Sequence, residues 1–155
     1  MDLDPMQTQS LDADFYESHR DDLMRYATAL VGLNDAADVV SRVIVRILSK
    51  RNRHLRDPRG YAMKAVLNEA RSWLRRRRTA PLIDADTAVD HPDPVPEVVT
   101  AVMELPVRQR AAVYLVYWIG MSPSEAAGVM GIQPGTARRY LYLARQQLRE
   151  ALSDE

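Results

Sequence analysis

Residues 122–148 read SPSEAAGVMGIQPGTARRYLYLARQQL, and this stretch decides the fold. Ser122-Pro123-Ser124-Glu125 joins a capping serine, a proline at the first helical position and a glutamate that reaches back to the cap. A short helix follows and stops at Gly131. Gln133-Pro134 starts the next helix, GTARRYLYLARQQLREALS. Ala127 stands four residues before Gly131, the spacing of a small residue and a turn glycine in a helix-turn-helix. The alanine is needed where the helices nearly touch, and the glycine where the backbone turns left-handed. Ala126, Met130, Ile132, Ala137 and Tyr140 fill the apolar places that fix the crossing. Such a motif lays the first turn of its second helix against base edges in a major groove. Gln133, Thr136, Arg138 and Arg139 are the exposed residues of that turn. A plain helical hairpin inside a bundle satisfies the same pattern, so the rest of the chain must separate the two.

Upstream, a helix is expected from about Val98 to Glu104, and another from Pro106 through RQRAAVYLVYWIG to Gly120. Before these lies TAPLIDADTAVDHPDPVPE (79–97), with Pro81, Pro92, Pro94 and Pro96, five acids and no base. Such a segment neither continues a helix nor builds a core, so it reads as an extended linker. On its N-terminal side, Phe15, Leu23, Tyr26, Ala27, Leu30 and Val31 fall at helical spacing until Gly32 and Asn34. Asn34 or Asp35 can cap the next helix, with Val39, Val40, Val43, Ile44, Ile47 and Leu48 on one broad face. A long helix is expected from Gly60 to about Arg78. No period-2 strand pattern is present. The expectation is an all-α protein of two small helical domains joined by an acidic Pro-rich linker, the second ending in a helix-turn-helix. The bounds are a disordered N-terminus 1–13, a first domain 14–78, the linker 79–97 and a second domain 98–155.

The 155 residues are 46% hydrophobic and 27% charged, ordinary for a globular chain. There is no cysteine, and His19, His54 and His91 stand far apart, so no thiolate, disulfide or metal spacing exists. No metal, no cofactor and no catalytic centre are expected. No apolar run spans a bilayer, and the acidic start is no secretory signal, so a cytoplasmic location without membrane insertion is expected. The zero net charge hides segregation: 1–49 carries −5, 50–78 carries +9, 79–97 carries −5 and 98–155 carries +1. Nineteen of the 21 basic residues are arginine, the side chain suited to bidentate phosphate and base contacts. GC-rich coding accounts for the ratio but not for the clustering.

LNDAADVVSRVIVRIL, DPRGYAMKAVLNEARSWLRRRR and LPVRQRAAVYLVYWIGMSPSEAAGVMGIQPGTARRYLYLARQQLRE, in this order, resemble an extracytoplasmic-function (group IV) sigma factor of the bacterial sigma-70 family. The resemblance covers about 14–78 and 97–152, and LPxRQR followed by SxxEAA and GTxRRxLxxAR is its most specific part. It implies promoter recognition and transcription initiation. The partners it implies are core RNA polymerase (β and β′ subunits) and promoter DNA, with an anti-sigma factor left open. It assigns Asp35, Asp38, Val39, Ser41 and Arg42 to the polymerase clamp. It assigns Arg59, Tyr61, Lys64, Asn68, Arg71, Arg75 and Arg76 to the −10 element, Asn68 as reader of an unstacked base. It assigns Gln133, Thr136, Arg138, Arg139 and Tyr142 to the −35 element.

The sequence departs from the family at Ala37, Ser41 and Arg42, where acids and Gln are common. It departs again at Met63, Ser72, Tyr142 and Leu143; Tyr140, Tyr142 and Leu143 suggest a face for a partner protein. Each element has a plainer reading: Arg75–Arg78 as a solvated helix end opposing the helix dipole, Asn68 as a core amide, Asp35 and Asp38 as caps. Trp73 reads as a core aromatic, and Tyr61 as the better stacking candidate. The alternatives are a helix-turn-helix regulator with a sensing first domain, or a degenerate sigma-like protein that regulates by binding proteins.

Overall fold

The computed structural model describes residues 9–10, 13–49, 54–79 and 97–153. Seven α-helices run in order among them: α1 (Ala13–Val31), α2 (Leu33–Ser49), α3 (Pro58–Thr79), α4 (Glu97–Glu104), α5 (Val107–Val113), α6 (Pro123–Met130) and α7 (Pro134–Ser153). The expected linker lies outside the described residues except at its ends, Thr79 and Glu97.

α1, α2 and α3 pack on one another through Leu23, Tyr26, Leu30, Val39, Val40, Val43, Val66 and Leu67, all buried. Full burial of each such side chain stabilises by about 1.5–3 kcal/mol. Gly32, at φ +90°, ends α1, and its N–H donates to the Thr28 carbonyl at 2.9 Å. α2 starts directly after it at Leu33, so Asn34 and Asp35 sit inside the first turn and not at the cap position expected for them. α3 begins at Pro58, two residues before the expected start, because Asp57 caps it: Asp57 Oδ1 accepts the Gly60 N–H at 3.0 Å.

Two details differ from an all-helical reading of the ends and loops. The backbone of Gln9–Ser10 (β1) pairs antiparallel with His54–Leu55 (β2). Two residues are too few to leave an alternating pattern, and Gln9–Ser10 fall in the stretch read as disordered. The second is in RQRAAVYLVYWIG. α5 gives way to a five-residue π-helical segment, Tyr114–Trp118, closed by the Ile119 N–H on the Tyr114 carbonyl at 3.0 Å. The inserted residue rotates the register and turns Tyr117 and Trp118 outward.

α6 carries the expected capping box: Ser122 Oγ accepts the Glu125 N–H at 3.1 Å, and Glu125 Oε1 accepts the Ser122 N–H at 3.3 Å. Gly131 closes it at φ +70°. The apolar core does not stop at the linker. Ala111, Ala112, Leu115, Val129, Met130 and Leu141 join the cluster of the first three helices. The Tyr26 and Tyr114 rings stack across the junction at 5.5 Å between centroids.

Candidate nucleic-acid interface

α3 carries the basic face. Tyr61, Lys64, Asn68, Arg71 and Arg75 follow at steps of three and four, so they share one side of the helix. Asn68 is exposed, which removes the core-amide reading. Lys64 is exposed too, yet its aliphatic stem lies on Gly131: a Cβ there would come within 2.8 Å of Lys64 Cε. Burial, then the charges of Arg108 and Arg75, lowers the Arg71 guanidinium from its ordinary value, opposed by Tyr140. This face is therefore turned toward α6 and α7. Arg59, at the helix start, pairs with Asp22 at 3.6 Å. Arg76 lies off the face: it donates to Glu69 at 2.9 Å and lies over Trp73, 5.7 Å from the ring centroid.

On α2 the five expected clamp residues divide. Val39 is fully buried and holds the helix to the core; it offers no surface. Asp35 is occupied by Arg77, which donates to its Oδ2. Asp38, Ser41 and Arg42 are exposed, and Arg42 stacks over Trp73 at 5.3 Å. That contact gives a physical role to an arginine which departs from the family pattern. Trp73, expected as a core aromatic, is half buried instead, packed on the edge of the core and held between two guanidiniums. Leu48, expected on the core face, is half exposed, and Val45 is 68% exposed. Both extend the Asp38–Ser41 face. Their signal was the i+4 and i+7 spacing from Ser41.

Gln133, just before α7, and Arg138, Arg139 and Tyr142 on α7 face solvent, with Thr136 half buried. Ala137, Leu141 and Ala144 face inward. Gln146 donates to the Tyr142 hydroxyl at 2.7 Å, and Arg145 donates to the Tyr117 hydroxyl at 3.1 Å. Arg145 and Gln146 thus prolong the exposed stripe by one turn, a continuation readable as i+3 and i+4 from Tyr142. Tyr117 (57% exposed) lies beside it through that bond, whereas Trp118 (75% exposed) stacks on Tyr114 at 6.5 Å between ring centroids. Periodicity did not find them, since it assumes an uninterrupted α-helix.

The two halves meet through Arg110, which is buried. Its Nε donates to the Leu105 carbonyl at 2.9 Å and its Nη1 to the Leu30 carbonyl at the end of α1. Burial lowers its pKa. Among the described residues no His/Cys/Asp/Glu group could hold a metal ion, and no helix is long and apolar enough to cross a membrane.

An exposed arginine stripe on a helix-turn-helix, preceded by a basic helix, defines a nucleic-acid-binding protein of the transcription type. The family models agree in order and extent: "Sigma-70 region 2" matches residues 15–80 and "Sigma-70, region 4" matches residues 97–148. The chain belongs to the sigma-70 family, with the two-region arrangement of its extracytoplasmic-function members. Members are non-catalytic initiation factors and not enzymes. The chain is 30% identical over 151 residues to the ECF RNA polymerase sigma factor SigE of Mycolicibacterium smegmatis, across 87% of this chain. It spans 59% of the length of that curated relative.

Two solved structures share the fold at 21% identity. One is the sigma factor RpoE in complex with the anti-sigma factor NepR from Bartonella quintana (TM-score 0.64; 93% of this chain, 99% of that one). The other is CnrH in complex with the cytosolic domain of CnrY (TM-score 0.63; 92% and 88%).

Proposed function

We propose that this chain, acting in the cytoplasm, binds core RNA polymerase and directs it to promoters. Residues 14–78 act at the −10 element and 98–155 at the −35 element. One observation carries the reading: the Tyr61–Arg75 face and the Arg138–Arg139 stripe lie on helices matched, in order, by the two sigma-70 region models. On α3, Arg59, Lys64, Arg71 and Arg75 supply charge for phosphates, which add affinity without sequence information; Arg76, held on Glu69, lies off that face. Opening the duplex costs about 1.4 kcal/mol per base-pair step. Catching an unstacked base against Tyr61 and Asn68 offsets part of that. Gln133 before α7, and Thr136, Arg138, Arg139 and Tyr142 on it, face the −35 groove. On α2, Asp38, Ser41 and Arg42 meet the polymerase, Val45 and Leu48 add apolar area, and Asp35 acts through its bond to Arg77.

Run-off transcription with purified core polymerase tests the reading. The chain should start transcripts at a −10/−35 promoter selected from a library, and Asp38→Lys should weaken the complex in a pull-down. Polymerase binding with no transcript would favour a second reading, a sigma-like regulator that acts by binding proteins. Asp35 held by Arg77 and Arg42 held on Trp73 are what favour it. An anti-sigma partner belongs to the same proposal, supported by the complexes in which both structural relatives were solved.

A further inference from the structure

The π-helical segment Tyr114–Trp118 and α7 are joined by a side-chain bond: Arg145 Nη1 donates to the Tyr117 hydroxyl at 3.1 Å. Both side chains are exposed, so the bond shapes a surface and not the core. Other arginines of the chain are fixed by acids: Arg59 by Asp22, Arg76 by Glu69 and Arg77 by Asp35. A carboxylate fixes a guanidinium and cancels its charge. A hydroxyl fixes it and leaves the charge whole, and among the described residues no carboxylate pairs with Arg145. The bond engages Nη1, so the edge formed by Nε and Nη2 stays open for a bidentate anion. The position of Arg145 selects the anion. Successive helical residues turn by about 100°, so Arg138, Tyr142, Arg145 and Arg149 fall within about 60° along one flank of α7. Arg145 stands two turns, about 10 Å, past Arg138. A major groove is about 12 Å wide. With Arg138 at the groove floor, a side chain that far along the helix meets the sugar-phosphate wall.

We propose that Tyr117 is a positioning residue for −35 binding: its hydroxyl holds Arg145 so that the open guanidinium edge grips a backbone phosphate at the rim of the groove. This deepens the −35 assignment of α7 and rests on it. The π-segment supplies the geometry, since without the inserted residue the Tyr117 ring would point about 100° away from its present direction. A guanidinium already ordered on the protein binds its phosphate without the entropy loss that a free arginine meets on the DNA.

Anisotropy titrations of the full chain with a −35 duplex, repeated over a range of salt concentrations, test this. Arg145→Gln should weaken binding and make the slope of log K against log salt shallower by about 0.9, the loss of one phosphate contact. Arg145→Lys, which keeps the charge and loses the fork, should keep the slope and still bind more weakly than the wild type. Tyr117→Phe keeps the ring and the arginine. It should leave the slope in place and weaken binding about threefold, the cost of ordering one freed side chain on the DNA. In the Arg145→Gln background Tyr117→Phe should change nothing further, a coupling that a tyrosine with a merely structural role would not show. Both single variants should select the wild-type −35 logo, since a phosphate carries no sequence information. An unchanged slope in Arg145→Gln, or the same loss from Tyr117→Phe with and without Arg145, would overturn the proposal and leave α7 as the −35 reader. A wild-type chain that binds selected and scrambled duplexes alike would remove the −35 reading itself, and this inference with it.

Discussion

Glu69 ties α2 to α3. Its carboxylate is 3% exposed and accepts from Arg46 at 3.0 Å and Arg76 at 2.9 Å. Arg76 also covers one side of Trp73, and Arg42 covers the ring as well. A buried carboxylate without partners is costly, so the two arginines are part of the fold before they are part of any interface. Sequence reading gave Arg76 to DNA and Arg42 to the polymerase clamp, because a charged side chain in a pattern does not reveal a long-range partner. Glu69 itself drew no role, being one acid in a basic helix. Both arginines are about half exposed, which screens each bond. Glu69→Gln should therefore cost about 1–2 kcal/mol, read as a lower urea midpoint with an unchanged slope. An unchanged midpoint would show that the cluster contributes nothing net.

Among the elements, the α6–α7 pair was legible almost to the residue. Its signals are local: the Ser122–Glu125 box, the left-handed Gly131 and the buried Ala127 and Ala137 lie within sixteen residues of one another. The π-segment was not legible. In YLVYWIG every position but the glycine is apolar, so no periodicity marks where one residue is inserted. α7 keeps Arg138 and Arg139 exposed, about 100° apart on the helix. One can face base edges while the other grips a flanking phosphate. An arginine bidentate to guanine discriminates by about 1–3 kcal/mol. Selection from a −35 library should give a logo relaxed at one position for the base-reading arginine changed to Ala. For the other it should give the wild-type logo with weaker binding at every sequence. Wild-type logos from both variants would remove these two as readers.

At the scale of the whole molecule, the packing of the halves is the feature that no local pattern announces. Tyr26 meets Tyr114, Lys64 lies along Gly131, and Arg110 reaches the end of α1. Each contact joins residues far apart in sequence, across a linker that reads as a separator. The consequence falls on the proposed −10 face, since α6 and α7 stand against Lys64 and Arg71. Promoter DNA bound to α3 as proposed would therefore compete with the packed arrangement for the same surface. If only a fraction of molecules is open, the apparent affinity for −10 DNA falls by that fraction, tenfold for about 1.4 kcal/mol of closure. The exposed stripe of α7 carries no such penalty. Arg110→Lys keeps the charge but loses the fork that bridges the Leu105 and Leu30 carbonyls. The variant should lengthen the distance between fluorophores placed at Ser18 and Glu150, both exposed. It should also raise affinity for a −10 fork while leaving affinity for a −35 duplex unchanged. Equal gains on both DNAs would point to a general change in charge or stability. A longer distance with no gain on the −10 fork would mean that closure does not limit access to α3.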